Sequence, residues 1–279
     1  MLSYQHEYHA GNHADVLKHA VLALVIRALQ RKPAPIRVLD AHAGSGIYDL
    51  TSREARKNAE HEAGVVRVLA AGAPPAELDP YFDAVRACNK GAALRRYPGS
   101  ASIARHLLRP IDHLELMELH PRAVSALRRR LGGDRRVHIH QRDCFEGLPA
   151  LVPPPERRGL ALIDPAYEVK DEFGRVVALL ESCHLRWPGG TYMIWYPLIR
   201  DRAGERFPNK IAASGIRRIF RLALQVEAQD FTGLRGSGLL IVNMPFGLEE
   251  RLEALMPWLW KTLSVDSRGE WQAEWLVPE

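Results

Sequence analysis

The sequence is poor in cysteine. Cys88, Cys144 and Cys183 are its only three, and they stand far apart with no CxxC pair. Neither a zinc knuckle nor a disulfide framework is expected, and a reduced, cytoplasmic protein is. Long apolar runs are missing too. Nothing approaches the ~18 residues that a membrane-spanning helix needs, so no membrane association is expected. The first fifteen residues are polar and charged, with no apolar h-region, which argues against a secretory signal. His6, His9, His13 and His19 fall at irregular spacing with no cysteine among them, so no metal site is expected. Repeats and low-complexity tracts are absent.

Apolar residues make up 47% of the 279, enough for one large core or a core with an insertion. Formal net charge is +5. Arginine supplies much of it in pairs and triplets: Arg95-Arg96, Arg128-Arg129-Arg130, Arg135-Arg136, Arg157-Arg158 and Arg217-Arg218. Guanidinium groups hold phosphates and stack on bases, so the excess favours a polyanionic partner. Trp258, Trp260, Trp271 and Trp275 are expected to serve packing near the C-terminus.

The most telling segment is Asp164-Pro165-Ala166-Tyr167, which follows the apolar run Leu160–Ile163. That run is too short for a helix and reads as a buried strand. Pro165 stops its ladder because proline has no N–H to donate. An acid, a carbonyl and an aromatic ring therefore meet at the carboxyl edge of a sheet, where open α/β sheets bind ligands. The trio suits a flat base with an exocyclic amine. The acid and the carbonyl accept its two N–H groups, and the ring stacks on its face.

Upstream, Ile36–Asp40 is a short β-rich run followed by Ala41-His42-Ala43-Gly44-Ser45-Gly46. Strand, Gly-x-Gly turn and helix is the arrangement that cradles a nucleotide. The third glycine of the dinucleotide fingerprint is missing, since Asp49 holds its place. Residues 12–30 read as a helix capped by Asn12, with Leu17, Val21, Leu24 and Ala28 on one apolar face and Lys18 and His19 off it. Strands recur near 36–40, 113–119, 136–141, 160–164, 190–196, 216–226 and 237–244, with a closing alternating run near 270–277. Interleaved helices imply a mostly parallel sheet, and the last strands an antiparallel pair at one edge. In a mononucleotide-binding unit the acid that binds ribose lies about 20 residues past the glycine turn. Here 72 residues separate Gly46 from Glu118 (118 − 46). Residues 53–96 are accordingly expected to be an inserted helical subdomain with a basic end at Lys90–Arg96. The core is then 1–52 and 97–279.

DAHAGSG together with DPAY resembles the aminomethylating Rossmann-like methyltransferases. The opening MLSYQHEYHAGNHADVLKHAVL, YPGS at 97–100, ELHP at 118–121, RDCFEGL at 142–148 and the closing WLVPE resemble the bacterial 23S rRNA (adenine-N6)-methyltransferase family RlmJ over the whole chain. The resemblance implies a Rossmann-like class I methyltransferase fold, α/β with a mostly parallel seven-stranded sheet. It also implies S-adenosyl-L-methionine as cofactor, with the N-terminus as a cofactor-covering arm, 23S rRNA as partner and a cytoplasmic monomer. Asp164, Pro165 and Tyr167 would be catalytic. Lys18, His19, His42, Gly44, Ser100, Glu118, Asp143, Cys144 and Asp164 would meet the cofactor, and Tyr4 and Tyr167 the substrate. Ala166 stands where the family has proline, which loosens one φ angle without touching the chemistry. The rival readings are a DNA adenine-N6 or protein glutamine methyltransferase, or a non-catalytic RNA-binding module on the same fold. Glutamine enzymes usually carry Asn at the position of Asp164, and DNA enzymes usually carry a larger recognition domain.

Overall fold

The structure is a computed structural model that describes residues 5–91, 93–169 and 171–279. The opening helix α1 (His13–Gln30) is capped by the Asn12 side chain, which accepts the Asp15 N–H at 3.0 Å. Strand β1 (Arg37–Asp40) follows, then β2 (Ile47–Asp49), α2 (Arg53–Asn58), α3 (Arg67–Ala70), α4 (Asp79–Ala87) and β3 (Arg96–Pro98). Next come α5 (Ser100–Leu107), β4 (His113–Glu118), α6 (Pro121–Leu131), β5 (Val137–Gln141), α7 (Cys144–Leu151), β6 (Gly159–Ile163) and α8 (Glu172–Arg186). The chain closes with β7 (Thr191–Leu198), α9 (Arg202–Ala212), β8 (Ile219–Gln225), β9 (Gly236–Val242), α10 (Glu249–Leu263) and β10 (Trp271–Val277).

The main sheet runs β10-β8-β9-β7-β6-β1-β4-β5. From β5 to β7 every pairing is parallel, and the pairings through β9, β8 and β10 are antiparallel. One expectation is corrected. The sheet has eight strands, because the closing alternating run joins it as β10 rather than leaving seven. The antiparallel pairing expected at one edge is there: β9 slots beside β7, β8 pairs with β9, and β10 borders β8 as the outermost strand. β9 is buried along its whole length, as an interior strand must be, whereas β10 is half-buried with alternating polar residues.

Helices cover both faces. One core gathers α1, α4, α5 and α10 against the sheet, and the other gathers α7, α8 and α9. Within the segment 53–96, α2, α3 and α4 lie outside the main sheet. Leu78, Tyr81, Phe82 and Val85 pack into the same core as α1. Arg96 opens β3, which pairs with β2 in a separate two-stranded sheet beside the glycine turn. α1 is therefore enclosed on several sides. Lys18 and His19 lie off the Leu17–Val21 face as expected, yet both are buried rather than solvated.

Candidate active site

Parallel pairing brings the carboxyl ends of β1, β4, β5 and β6 to one edge. The turn after β1 is tied to both neighbours: Ala41 N–H donates to Leu162 O and Ala43 N–H to Met117 O, each at 2.9 Å. Gly44 has φ +57°, and a Cβ there would fall 2.2 Å from the Tyr48 hydroxyl oxygen. Only glycine suits that position. The Gly44 N–H donates to Glu118 Oε2 at 3.0 Å, and His120 N–H donates to Oε1 at 2.7 Å. Glu118 thus ties the turn to the end of β4 and keeps lone pairs for a ligand hydroxyl. Asp143 caps α7 by accepting the Phe145 N–H at 2.9 Å. Cys144, the first residue of that helix, is buried with Sγ 3.2 Å from His42 Nε2.

His42 links the two halves of the site. Its Nδ1 accepts the Asp164 N–H at 3.1 Å, which puts its proton on Nε2, facing Cys144. Burial pulls His42 down to about 4, against the opposing charge of Asp143, so the ring is neutral at ordinary pH. Asp40 ends β1 and is buried. Burial raises it to about 6, opposed by the Ser100 hydroxyl and the His42 N–H. Ser100 starts α5 and is itself buried. Asp40 Oδ2 has no hydrogen-bond partner among the described residues.

Asp164 stands just beyond β6, and Pro165 behind it is buried. Burial raises the Asp164 carboxyl, and Lys18 opposes that rise. Lys18 Nζ lies 2.5 Å from Asp164 Oδ2 and 3.0 Å from Asp15 Oδ1. Burial works against the Lys18 ammonium, but the two carboxylates outweigh it and raise its pKa. Tyr167 adopts φ +55°. Its hydroxyl donates to Trp195 O at 2.7 Å, and its ring stacks on Phe173 at 4.2 Å between centroids. His19 points elsewhere: its Nδ1 shares a 2.8 Å hydrogen bond with Tyr97 Oη, which in turn lies 3.2 Å from Tyr81 Oη. Tyr4 lies outside the described residues.

Ten of the expected residues therefore meet at this edge: Lys18, His42, Gly44, Ser100, Glu118, Asp143, Cys144, Asp164, Pro165 and Tyr167. Two further acids belong to it. Asp40 had a signal, being an acid immediately before a glycine turn. Asp15 had less, because an acid three residues past an N-cap reads as first-turn support for the helix.

An αβα sandwich with a glycine turn after β1, acids at successive strand ends and an Asp-Pro-x-Tyr corner after β6 defines a Rossmann-like methyltransferase. Residues 33–277 match the family described as ribosomal RNA large subunit methyltransferase D, RlmJ. Relatives named ribosomal RNA large subunit methyltransferase J occur in Escherichia coli (strain K12), 41% identical, and in Haemophilus influenzae, 40% identical, each aligned over 100% of both chains. A crystal structure of a Legionella pneumophila protein superposes with a TM-score of 0.88 at 31% identity, covering 96% of this chain and 98% of that one. The chain belongs to the RlmJ family of ribosomal RNA large subunit methyltransferases.

Proposed function

We propose that this protein transfers a methyl group from S-adenosyl-L-methionine to the N6 amine of one adenine in 23S rRNA, acting as a cytoplasmic monomer. The observation that carries the reading is the corner after β6: a largely buried carboxylate of raised proton affinity, with an aromatic ring three residues on, beside a glycine turn.

The residues of the edge suit the cofactor. Gly44 supplies the positive φ that exposes the turn's backbone at the strand ends, and Asp40 Oδ2 is a buried acceptor with no partner among the described residues. Glu118 suits the ribose hydroxyls, and Asp143 with the Cys144 backbone suits the adenine ring. His42, Ser100, Lys18 and His19 would surround the methionine end. When bound, the cofactor supplies a methyl group already activated on a sulfonium, so no metal is required.

Asp164 does the remaining work. The N6 lone pair of adenine is delocalised into its ring and is a poor nucleophile. A carboxylate and the Pro165 carbonyl accepting its N–H groups draw the amine toward tetrahedral geometry and free the lone pair. As the new N–C bond formed and the methyl's bond to sulfur broke, leaving a neutral thioether, the nitrogen would turn acidic and Asp164 would take its proton. Tyr167 stacks on the base, and Tyr4 would close over it from the N-terminal arm.

Several arginines are engaged in structure. Arg136 forks onto Asp134, and Arg158 donates to Leu29 O and Ala34 O. Arg56, Arg95, Arg96 and Arg129 are exposed around the β2–β3 strand pair next to the site. We read this face, including the inserted subdomain at 53–96, as the surface that receives the RNA backbone. Transfer of labelled methyl groups to 23S rRNA, DNA and total protein tests the reading. Label only in rRNA, mapping to N6-methyladenosine, is expected, and label in DNA or protein alone overturns it.

A further inference from the structure

Asp15 is among the most connected acids of the site and reaches neither the glycine turn nor the Asp164 corner directly. It is 1% exposed. Its Oδ2 accepts the Gly11 N–H at 2.9 Å and lies 2.9 Å from His6 Nε2. Its Oδ1 lies 3.0 Å from Lys18 Nζ and 3.9 Å from His19 Nε2. The Asn12 cap fixes the first turn of α1, so positions 15 and 18 share one face. Burial pushes the Asp15 carboxyl up, but His6 and Lys18 more than offset it and hold it well below the usual range. It stays ionised.

Lys18 thus sits between two carboxylates, and only one of them has other work. A buried ammonium left without an anion is costly. During methyl transfer Asp164 must accept the amine N–H and then its proton, and at that moment it stops balancing Lys18. We propose that Asp15 is a positioning residue: the permanent counter-anion of Lys18, which releases Asp164 for the amine. This rests on the methyl-transfer reading and extends it. Asp15 does not touch the reacting atoms and acts through Lys18.

The groups facing Asp164 fix the sign of the effect. Lys18, Asp15 and His6 face it from the N-terminal elements, Asp40 from the end of β1, His42 from the turn after it, and Tyr167 from its own loop. Asp15 raises the proton affinity of Asp164, and Lys18 lowers it. Without the Asp15 charge, Lys18 falls to Asp164 alone, which becomes a weaker and more tightly held base.

The test uses the full chain as wild type, D15N, K18M and D15N/K18M. The Asp164 carboxyl is titrated by carbon NMR, assigned by its absence in D164N. Single-turnover methylation of a 23S rRNA transcript is followed against pH, and S-adenosylmethionine binding is measured by calorimetry. In D15N the Asp164 midpoint and the acid limb of the rate profile are expected to move together to lower pH. The rate should fall at least about tenfold, with cofactor affinity within about threefold. On the K18M background, D15N should cost less than about a further threefold, because the residue it serves is already gone. An unmoved midpoint, or independent losses in the double variant, overturns the proposal. Should D15N not fold, comparison of K18M with D15N/K18M decides alone. Should the wild type methylate no RNA, the functional reading falls, and the Asp164 titration still decides the Asp15 coupling.

Discussion

Asp164 combines burial, which favours its neutral form, with Lys18, which favours its charged form. A group balanced this way can accept a proton during a reaction without being protonated beforehand. Asp164→Asn keeps the shape but presents N–H to N–H and cannot take the proton. Turnover is expected to fall by about 10²–10⁴, with cofactor affinity by calorimetry nearly unchanged; a wild-type rate would remove Asp164 from the chemistry. Tyr167→Ala should weaken base placement by about 1–3 kcal/mol, the worth of one base–aromatic stack, seen as a raised KM for RNA. The buried histidines set a different pH dependence, that of stability. Burial lowers His19 to about 3, with Asp15 opposing, and burial likewise lowers His42 and His13 to about 4. An unfolded histidine takes a proton near pH 6.5 and these do not. Their contribution is therefore complete above pH 6.5 and is lost as pH falls toward 4. For His19 the loss is about 1.4 kcal/mol per pH unit. Urea unfolding at pH 7.5, 6 and 5 should show a shallower acid loss for His19→Gln than for wild type, and equal slopes would contradict the assignment.

The element that organises these residues is α1, and its N-terminus depends on a close backbone approach. Val65 N–H donates to Gly11 O at 2.8 Å, and a Cβ on Gly64 would fall 2.1 Å from that same oxygen and 2.6 Å from the Asn12 carbonyl carbon. Neither can yield, since both belong to the turn that caps α1. Gly64→Ala is expected to cost about 1–3 kcal/mol in unfolding and to lower turnover further by displacing Asp15 and Lys18; an unchanged melting temperature with normal turnover would show that the turn relaxes freely. This element also marks how far sequence reasoning reaches. Asn12 and the spacing of Leu17, Val21, Leu24 and Ala28 define its start and one face. The burial of Lys18 depends on Asp164 just beyond β6 and Trp195 in β7, whose ring centroid lies 5.9 Å from Lys18 Nζ, and both are distant in the chain. The corner at Asp164–Tyr167 was legible because a local run, a proline and an aromatic ring define it. Asp15 was not, because its partners Lys18 and His6 become a charge cluster only when Asp164 arrives from across the sheet. The position of β9 between β7 and β8 was hidden for a similar reason: two adjacent strands read as a hairpin whichever of them faces the interior.

At the scale of the whole molecule, a net charge of +5 matters less than where the charge lies. Arg96 and Arg56 both act on Asp49 at the end of β2, whose carboxyl is lowered first by Thr51 and then by them. Arg130 donates to Ser45 O at 2.8 Å and is lowered by burial and by its neighbours Arg129 and Arg96. These couplings join α2, the β2–β3 strand pair and α6 into one basic face flanking the glycine turn. A nucleic acid laid on such a face releases condensed counterions, so its binding weakens with salt in proportion to the phosphates neutralised. Replacing Arg56, Arg96 and Arg129 together by Gln removes three exposed charges and leaves Arg130, which holds the turn, in place. Affinity for a 23S rRNA fragment should fall, and the slope of log K against log salt should shrink by about 2–3, at roughly 0.7–0.9 for each phosphate no longer neutralised. Cofactor affinity should be unchanged, and so should the methylation rate at saturating RNA. If the triple variant keeps the wild-type slope, the RNA lies on another face, and the arginines around the β2–β3 pair serve only to solvate the surface.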